Sequence, residues 1–170
     1  MSKARPALDP HKLRWIRWGN GDMDSSTAMT ADDRSWSSST HPLRESDSGS
    51  IILITTAADG ARTFTLPSAK KGLYFKFVWG VSDTNNSGQR NINTASAAEE
   101  IRGAVLAFDS DTANSSNDIA ATRLSSNDAI QIVDDISIGS YLELVSDGDH
   151  WYTAENKLIL SAGGSGVSGD

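Results

Sequence analysis

The stretch "SYLELVSDGDHWYTAEN" (residues 140–156) decides between two kinds of protein. Asp147, Asp149 and His150 crowd around Gly148 and run straight into Trp151 and Tyr152, as a metal or acid–base site would have it. The same letters spell a β-hairpin. Residues 141–145 alternate toward the turn, Asp147-Gly148 is a favoured hairpin dipeptide, and residues 150–154 return with β-favouring aromatics. A calcium loop needs more oxygen ligands at a set rhythm, and that series is absent. An acid–base pair needs a nucleophile or second carboxylate, and nothing in the sequence points to one. The hairpin is the stronger reading.

Outward from that hairpin the chain continues in short β-rich runs. "SIILITT" (50–56) and "ARTFTL" (61–66) flank "AADG", which predicts another hairpin with Gly60 free to adopt positive φ. "GLYFKFVW" (72–79) sets Leu73, Phe75, Phe77 and Trp79 on one face. Further strands are expected at 101–108, 129–133, 141–145, 150–154 and 157–162, with polar loops at 82–91 and 109–118. Only "ASAAEEIR" (95–102) suits a turn of helix. Such spacing predicts an all-β fold, an antiparallel β-sandwich or jelly-roll-like domain over 46–162. Residues 1–45 read as an extended N-terminal arm anchored at points such as Trp36 and Leu43, and 163–170 as a flexible Gly/Ser tail.

Composition narrows the chemistry. At 170 residues the chain suits one domain. Without cysteine it has neither disulfides nor thiolate metal sites. No apolar run approaches the roughly 18–20 residues of a membrane span, and the basic start lacks a signal-peptide core, so no membrane partner is expected. Residues 1–18 carry five Lys/Arg against one Asp, whereas 45–170 carry eight Lys/Arg against seventeen Asp/Glu. An acidic body repels nucleic acid, and none is expected as a partner. The histidines at 11, 41 and 150 show no ligand spacing, and the acidic stretches 109–111 and 134–135 read as solvated loops. Walker, nucleophile-elbow and dinucleotide motifs are absent. No catalytic residue, metal or cofactor is expected, and the chain does not read as an enzyme.

The basic start is different. In "DPHKLRWIRWGNGD" (9–22), Asp9 and Pro10 could open a helical turn, and the alternation over 13–18 fits an extended strand equally well. Either way Lys12, Leu13, Arg14, Trp15, Ile16, Arg17 and Trp18 put two indoles and two aliphatics among cations. Folding back onto the β domain is one reading and an anchoring arm the other. Trp and Arg lead among binding hot spots, and a cationic arm is steered to acidic surfaces. Single-stranded nucleic acid stacking on Trp15 and Trp18 ranks below both.

With the strands laid out, residues 46–160 resemble a bacteriophage virion module. The features are "SDSGSIILIT" leading into "RTFTLPSAKKGLYFKFVW", then "IRGAVLAF", "NDAIQIVDD" and "GSYLELVSDGDHWYTAEN". This string is similar to domains of phage head decoration (cement) proteins and of some tail or head fibres. The resemblance implies a homotrimeric β structure without enzymatic activity, with aliphatic rows such as Ile51 and Leu53, or Leu142 and Leu144, at the three-fold contact. The lack of a repeat-built or coiled-coil shaft favours the head. The expectation is a decoration protein on the outer capsid surface of the virion. Its partner is the major capsid protein, held through residues 12–18. The alternative is a fibre or receptor-binding module stacking Trp151 and Tyr152 on glycans. A polysaccharide depolymerase, needing paired carboxylates in a groove, ranks last.

Overall fold

Ser50–Ile54 is aliphatic at four successive positions, which suits a strand flanked by parallel neighbours better than one arm of a solvated hairpin, although only Ser50, Ile52 and Ile54 are fully buried. The computed structural model describes residues 14–18, 40–54, 61–82, 89–109, 119–132, 136–160 and 167–169, with the side chains of 14–18, 109, 167 and 168 left aside. The strands are β1 (Arg14–Trp18), β2 (Thr40–Pro42), β3 (Ser50–Ile54), β4 (Arg62–Thr65), β5 (Tyr74–Trp79) and β6 (Arg90–Asn93). They continue as β7 (Ile101–Asp109), β8 (Ile119–Asn127), β9 (Ala129–Ile132), β10 (Tyr141–Ser146), β11 (Trp151–Leu160) and β12 (Val167–Gly169).

They form a seven-stranded sheet, ordered β1-β3-β5-β10-β11-β7-β8, and a five-stranded sheet, ordered β12-β9-β6-β4-β2. The fold is an all-β, sandwich-like domain whose sheets are mixed rather than antiparallel throughout. From β1 to β6 the chain changes sheet at every step, so neighbours within a sheet run parallel: β1, β3 and β5 in one, β2, β4 and β6 in the other. The hairpin expected from 50–56 and 61–66 is therefore not formed. β3 pairs with β1 and β5, while β4 pairs with β2 and β6 in the opposite sheet. A parallel pair cannot be closed by a tight turn, and here the intervening chain is spent on a strand of the other sheet. "AADG" itself lies outside the described residues.

The segments expected to flank the domain contribute to it. Arg14–Trp18 and Thr40–Pro42 each supply an edge strand, and Val167–Gly169 supplies another beside β9. Leu43 is buried, as its anchoring role requires, and Trp36 lies outside the described residues. Just after it, a single 3₁₀ turn (Glu45–Asp47) is closed by the buried Asp47 carboxylate, which accepts the Arg44 N–H at 2.8 Å. Residues 95–100 form turns, not helix.

One apolar layer fills the space between the sheets. Phe75, Phe77 and Trp79 enter from β5, as the alternation predicts, together with Leu142, Leu144, Trp151 and Leu158; Phe64, Ile92, Ile130 and Ile132 meet them from the five-stranded sheet. Phe64 and Phe77 touch edge to face across the layer, with ring centroids 5.3 Å apart. Burying each such side chain contributes about 1.5–3 kcal/mol.

Two strands, expected at 150–154 and 157–162, are one strand, β11, with a bulge in its middle. Its register against β7 shifts between Tyr152 and Leu158, and against β10 between Thr153 and Asn156. Side chains replace the broken ladder. Thr153 Oγ1 accepts the Ala104 N–H at 3.0 Å, and Asn156 Oδ1 accepts the Leu106 N–H at 2.7 Å while its Nδ2 donates to the Ala104 carbonyl at 2.9 Å. Gly103, at φ +124°, faces this bridge so closely that a Cβ would overlap Thr153 Oγ1. Gly103→Ala is expected to lower unfolding free energy by about 2–4 kcal/mol, from backbone strain plus the overlap, as read by urea titration.

His41 on β2 is 5% exposed and packs against Phe64 at 5.6 Å between centroids. Burial, reinforced by the Arg62 charge, pulls its pKa from 6.5 down to about 4. Between those values the unfolded chain takes up a proton that the folded chain refuses, so stability falls as pH drops from about 6.5 toward 4. His41→Gln should flatten that slope when urea midpoints near pH 7 and near pH 4.5 are compared, even if both midpoints are lower.

Candidate functional site

The hairpin tip of β10 and β11 is closed by its own polar groups. The Asp147 N–H reaches the His150 carbonyl at 3.2 Å, and Asp147 Oδ1 accepts the N–H groups of Asp149 and His150, both at 2.9 Å. Ser146 Oγ accepts the Gly148 N–H at 3.2 Å. The turn is thus centred on Gly148 and Asp149, one residue later than the Asp-Gly dipeptide suggests. Gly148 takes the left-handed position at φ +117°. The backbone donors of His150 and Asp149, helped by the Tyr152 hydroxyl, hold the Asp147 carboxyl at about 2, below its usual 3.8. That carboxylate is a turn staple. Among the described residues no group of three or more His, Cys, Asp or Glu side chains could hold a metal ion.

Trp151 is not available to a sugar. It is 0% exposed, lies against Phe75 with centroids 5.7 Å apart, and belongs to the core; only Tyr152, half-buried, stays near the surface. Alternation explains the difference, because adjacent residues of a strand face opposite sides of the sheet.

The outer face of the seven-stranded sheet carries a built polar cluster. Lys76 Nζ on β5 pairs with Glu143 Oε1 on β10 at 2.6 Å and sits 4.7 Å from the centre of the Tyr141 ring. Beside them Tyr74 is pushed up to about 12, by burial first and then by the Glu143 carboxylate. Toward β1 the same face turns aliphatic, with Ile51 opposite Lys76 and Leu53 opposite Val78, all partly exposed. Of the two rows considered for a three-fold contact, Leu142 and Leu144 point inward at 0% exposure, and Ile51 and Leu53 remain on the surface.

Of the seven residues proposed as an anchor, Lys12 and Leu13 lie outside the described residues. Arg14–Trp18 form β1, the last strand of the seven-stranded sheet, so the extended reading is the one realised there rather than a helical turn. Of the two readings of the basic start, these residues follow the one that folds back onto the β domain. β1 runs parallel to β3, setting Trp15 opposite Ile51, Ile16 opposite Ile52, Arg17 opposite Leu53 and Trp18 opposite Ile54. The cationic segment is thereby brought beside the partly exposed aliphatic row, a juxtaposition that sequence spacing alone did not suggest.

At the other end of this sheet β7 and β8 form a long hairpin unnoticed in the sequence. It leaves Leu106 and Ile119 on the surface, Ile119 at 66% exposure. Only Leu124 of β8 reaches the core, so no apolar alternation marked the strand. No helix among the described residues is long and apolar enough to cross a membrane. No family model matches the chain, and no curated protein or solved structure matches it either.

Because the folded Asp147 titrates below its unfolded value, its contribution to stability is present above about pH 3.8 and is lost as pH falls through about 2. Asp147→Ala should therefore lower the thermal midpoint near pH 7 and leave it nearly unchanged near pH 2, a comparison that calorimetry reads directly.

Proposed function

We propose that this chain is a non-enzymatic virion protein, a phage head decoration protein that binds the outer capsid surface as a homotrimer and ties neighbouring major capsid subunits together. The supporting observation is the placement of a cationic, Trp-bearing strand at a sheet edge, beside the partly exposed Ile51 and Leu53. The polar cluster that most invited a catalytic reading is meanwhile occupied in closing its own turn. In this reading Ile51 and Leu53 supply the contact between copies. On β1 it is Trp15 and Arg17 that are in register with the partly exposed Ile51 and Leu53. Trp15 therefore contributes apolar contact area, with Leu13 adding to it, and Arg17, with Lys12 before it, pairs with capsid carboxylates. Arg14, Ile16 and Trp18 are in register with the buried Ser50, Ile52 and Ile54. Three arms on one trimer bind with avidity, so a modest affinity per arm yields lasting attachment. The result is mechanical: separating two capsid subunits then requires detaching the trimer that spans them.

The glycan-binding alternative loses its principal residue, since Trp151 is in the core. Two variants test the cement reading on heads of the phage that encodes the chain, stripped of this protein. Lys12→Glu with Arg17→Glu, and deletion of 1–22, should each reduce co-sedimentation with heads at least about tenfold, roughly 1.4 kcal/mol. Full co-sedimentation by both variants would overturn the arm as anchor, and an unaltered protein that fails to bind heads would overturn the decoration role.

A further inference from the structure

β1 hydrogen-bonds a single strand, β3, through a five-residue parallel register. It is joined to β2, an edge strand of the other sheet, through residues 19–39. Fully extended, a connection of that length reaches at most about 70 Å, well beyond the width of a domain this size. A connection of that reach lets residues 14–18 meet the β3 edge of a second copy as well as their own.

We propose that β1 is exchanged between copies: residues 14–18 of one protomer add to the β3 edge of its neighbour, in the register they make within a single chain. The exchanged strand loses no hydrogen bond, because the sequence that fits β3 in cis is the sequence offered in trans. Strand exchange of this kind is a low-cost route to an oligomer. Charge favours it. Each body from residue 45 onward carries seventeen acidic against eight basic groups, so two bodies repel, while residues 1–18 bring five cations and one acid across the contact. The receiving edge is also the aliphatic one. Ile51 and Leu53 lie in register with Trp15 and Arg17, so the strand and the row beside it form one continuous surface against which a neighbour can pack. This proposal concerns contacts between copies of the chain and stands independently of what the assembled protein decorates.

The chain has no cysteine, so an engineered disulfide reports a single pairing. Arg17 and Leu53 face each other in the register. One variant carries Arg17→Cys, a second Leu53→Cys, and a third both. The two single variants, co-expressed, oxidised and run without reductant, are expected to give a covalent heterodimer that neither forms alone, and the double variant covalent multimers. A double variant that closes only within its own chain, with no heterodimer from the mixture, would overturn the exchange. So would failure to crosslink in either arrangement. Trp15→Cys with Ile51→Cys repeats the test at the neighbouring register position if Leu53→Cys does not fold.

Discussion

Phe77 of the seven-stranded sheet meets Phe64 of the five-stranded sheet at 5.3 Å between ring centroids, and the rest of the molecule is arranged around keeping these two sheets in contact. A sheet with one apolar face is stable only when that face is covered. This chain covers each sheet with the other, alternating strand by strand through its first half. The alternation sets the parallel order of β1, β3 and β5 and of β2, β4 and β6, and it requires connections that cross between layers instead of turning tightly within one. Only in the second half, where β7 meets β8 and β10 meets β11, does the chain return beside itself as hairpins.

Open sheets leave edges, and the treatment of those edges is where this fold connects to function. β2 ends in Pro42, which has no N–H to offer a further strand. β8 carries Arg123 and mostly small or polar residues, a composition that discourages further pairing despite the exposed Ile119. The β3 edge is different: it is aliphatic, and it is covered by a strand that reaches it from a distant part of the chain. That edge carries both the capsid-binding and the strand-exchange proposals, because there a remote segment, opposite in charge to the body of the chain, completes the sheet.

The polar groups fall into two kinds. Asp147, Ser146 and the amides around Gly148 satisfy one another within a few residues, and Asp47 does the same for the Arg44 N–H. Such groups shape turns. Lys76, Glu143, Tyr74 and Tyr141 come together from different strands on the outer face, and Thr153 and Asn156 bridge a bulge between strands far apart in sequence. These hold register, and a register error at β11 would move its whole apolar set off the core.

Much was legible in the residues themselves. The all-β class, the hairpin around Gly148, the buried face of Phe75, Phe77 and Trp79, and the anchoring of Leu43 each follow from alternation, turn chemistry or side-chain size within a few positions. The strand β8 was hidden because only Leu124 is buried there, and β6 because four residues of Arg-Asn-Ile-Asn carry too little pattern. β11 looked like two strands because its bulge interrupts the alternation at Ala154 and Glu155. What the tertiary structure alone decided is which strands are neighbours. It placed Ile51 and Leu53 outside and Leu142 and Leu144 inside, sent β3 and β4 to opposite sheets, and set Arg14–Trp18 against β3. Periodicity says that one face of a strand is apolar, but the face a neighbour covers depends on contacts between residues dozens of positions apart, and these leave no local mark in the chain.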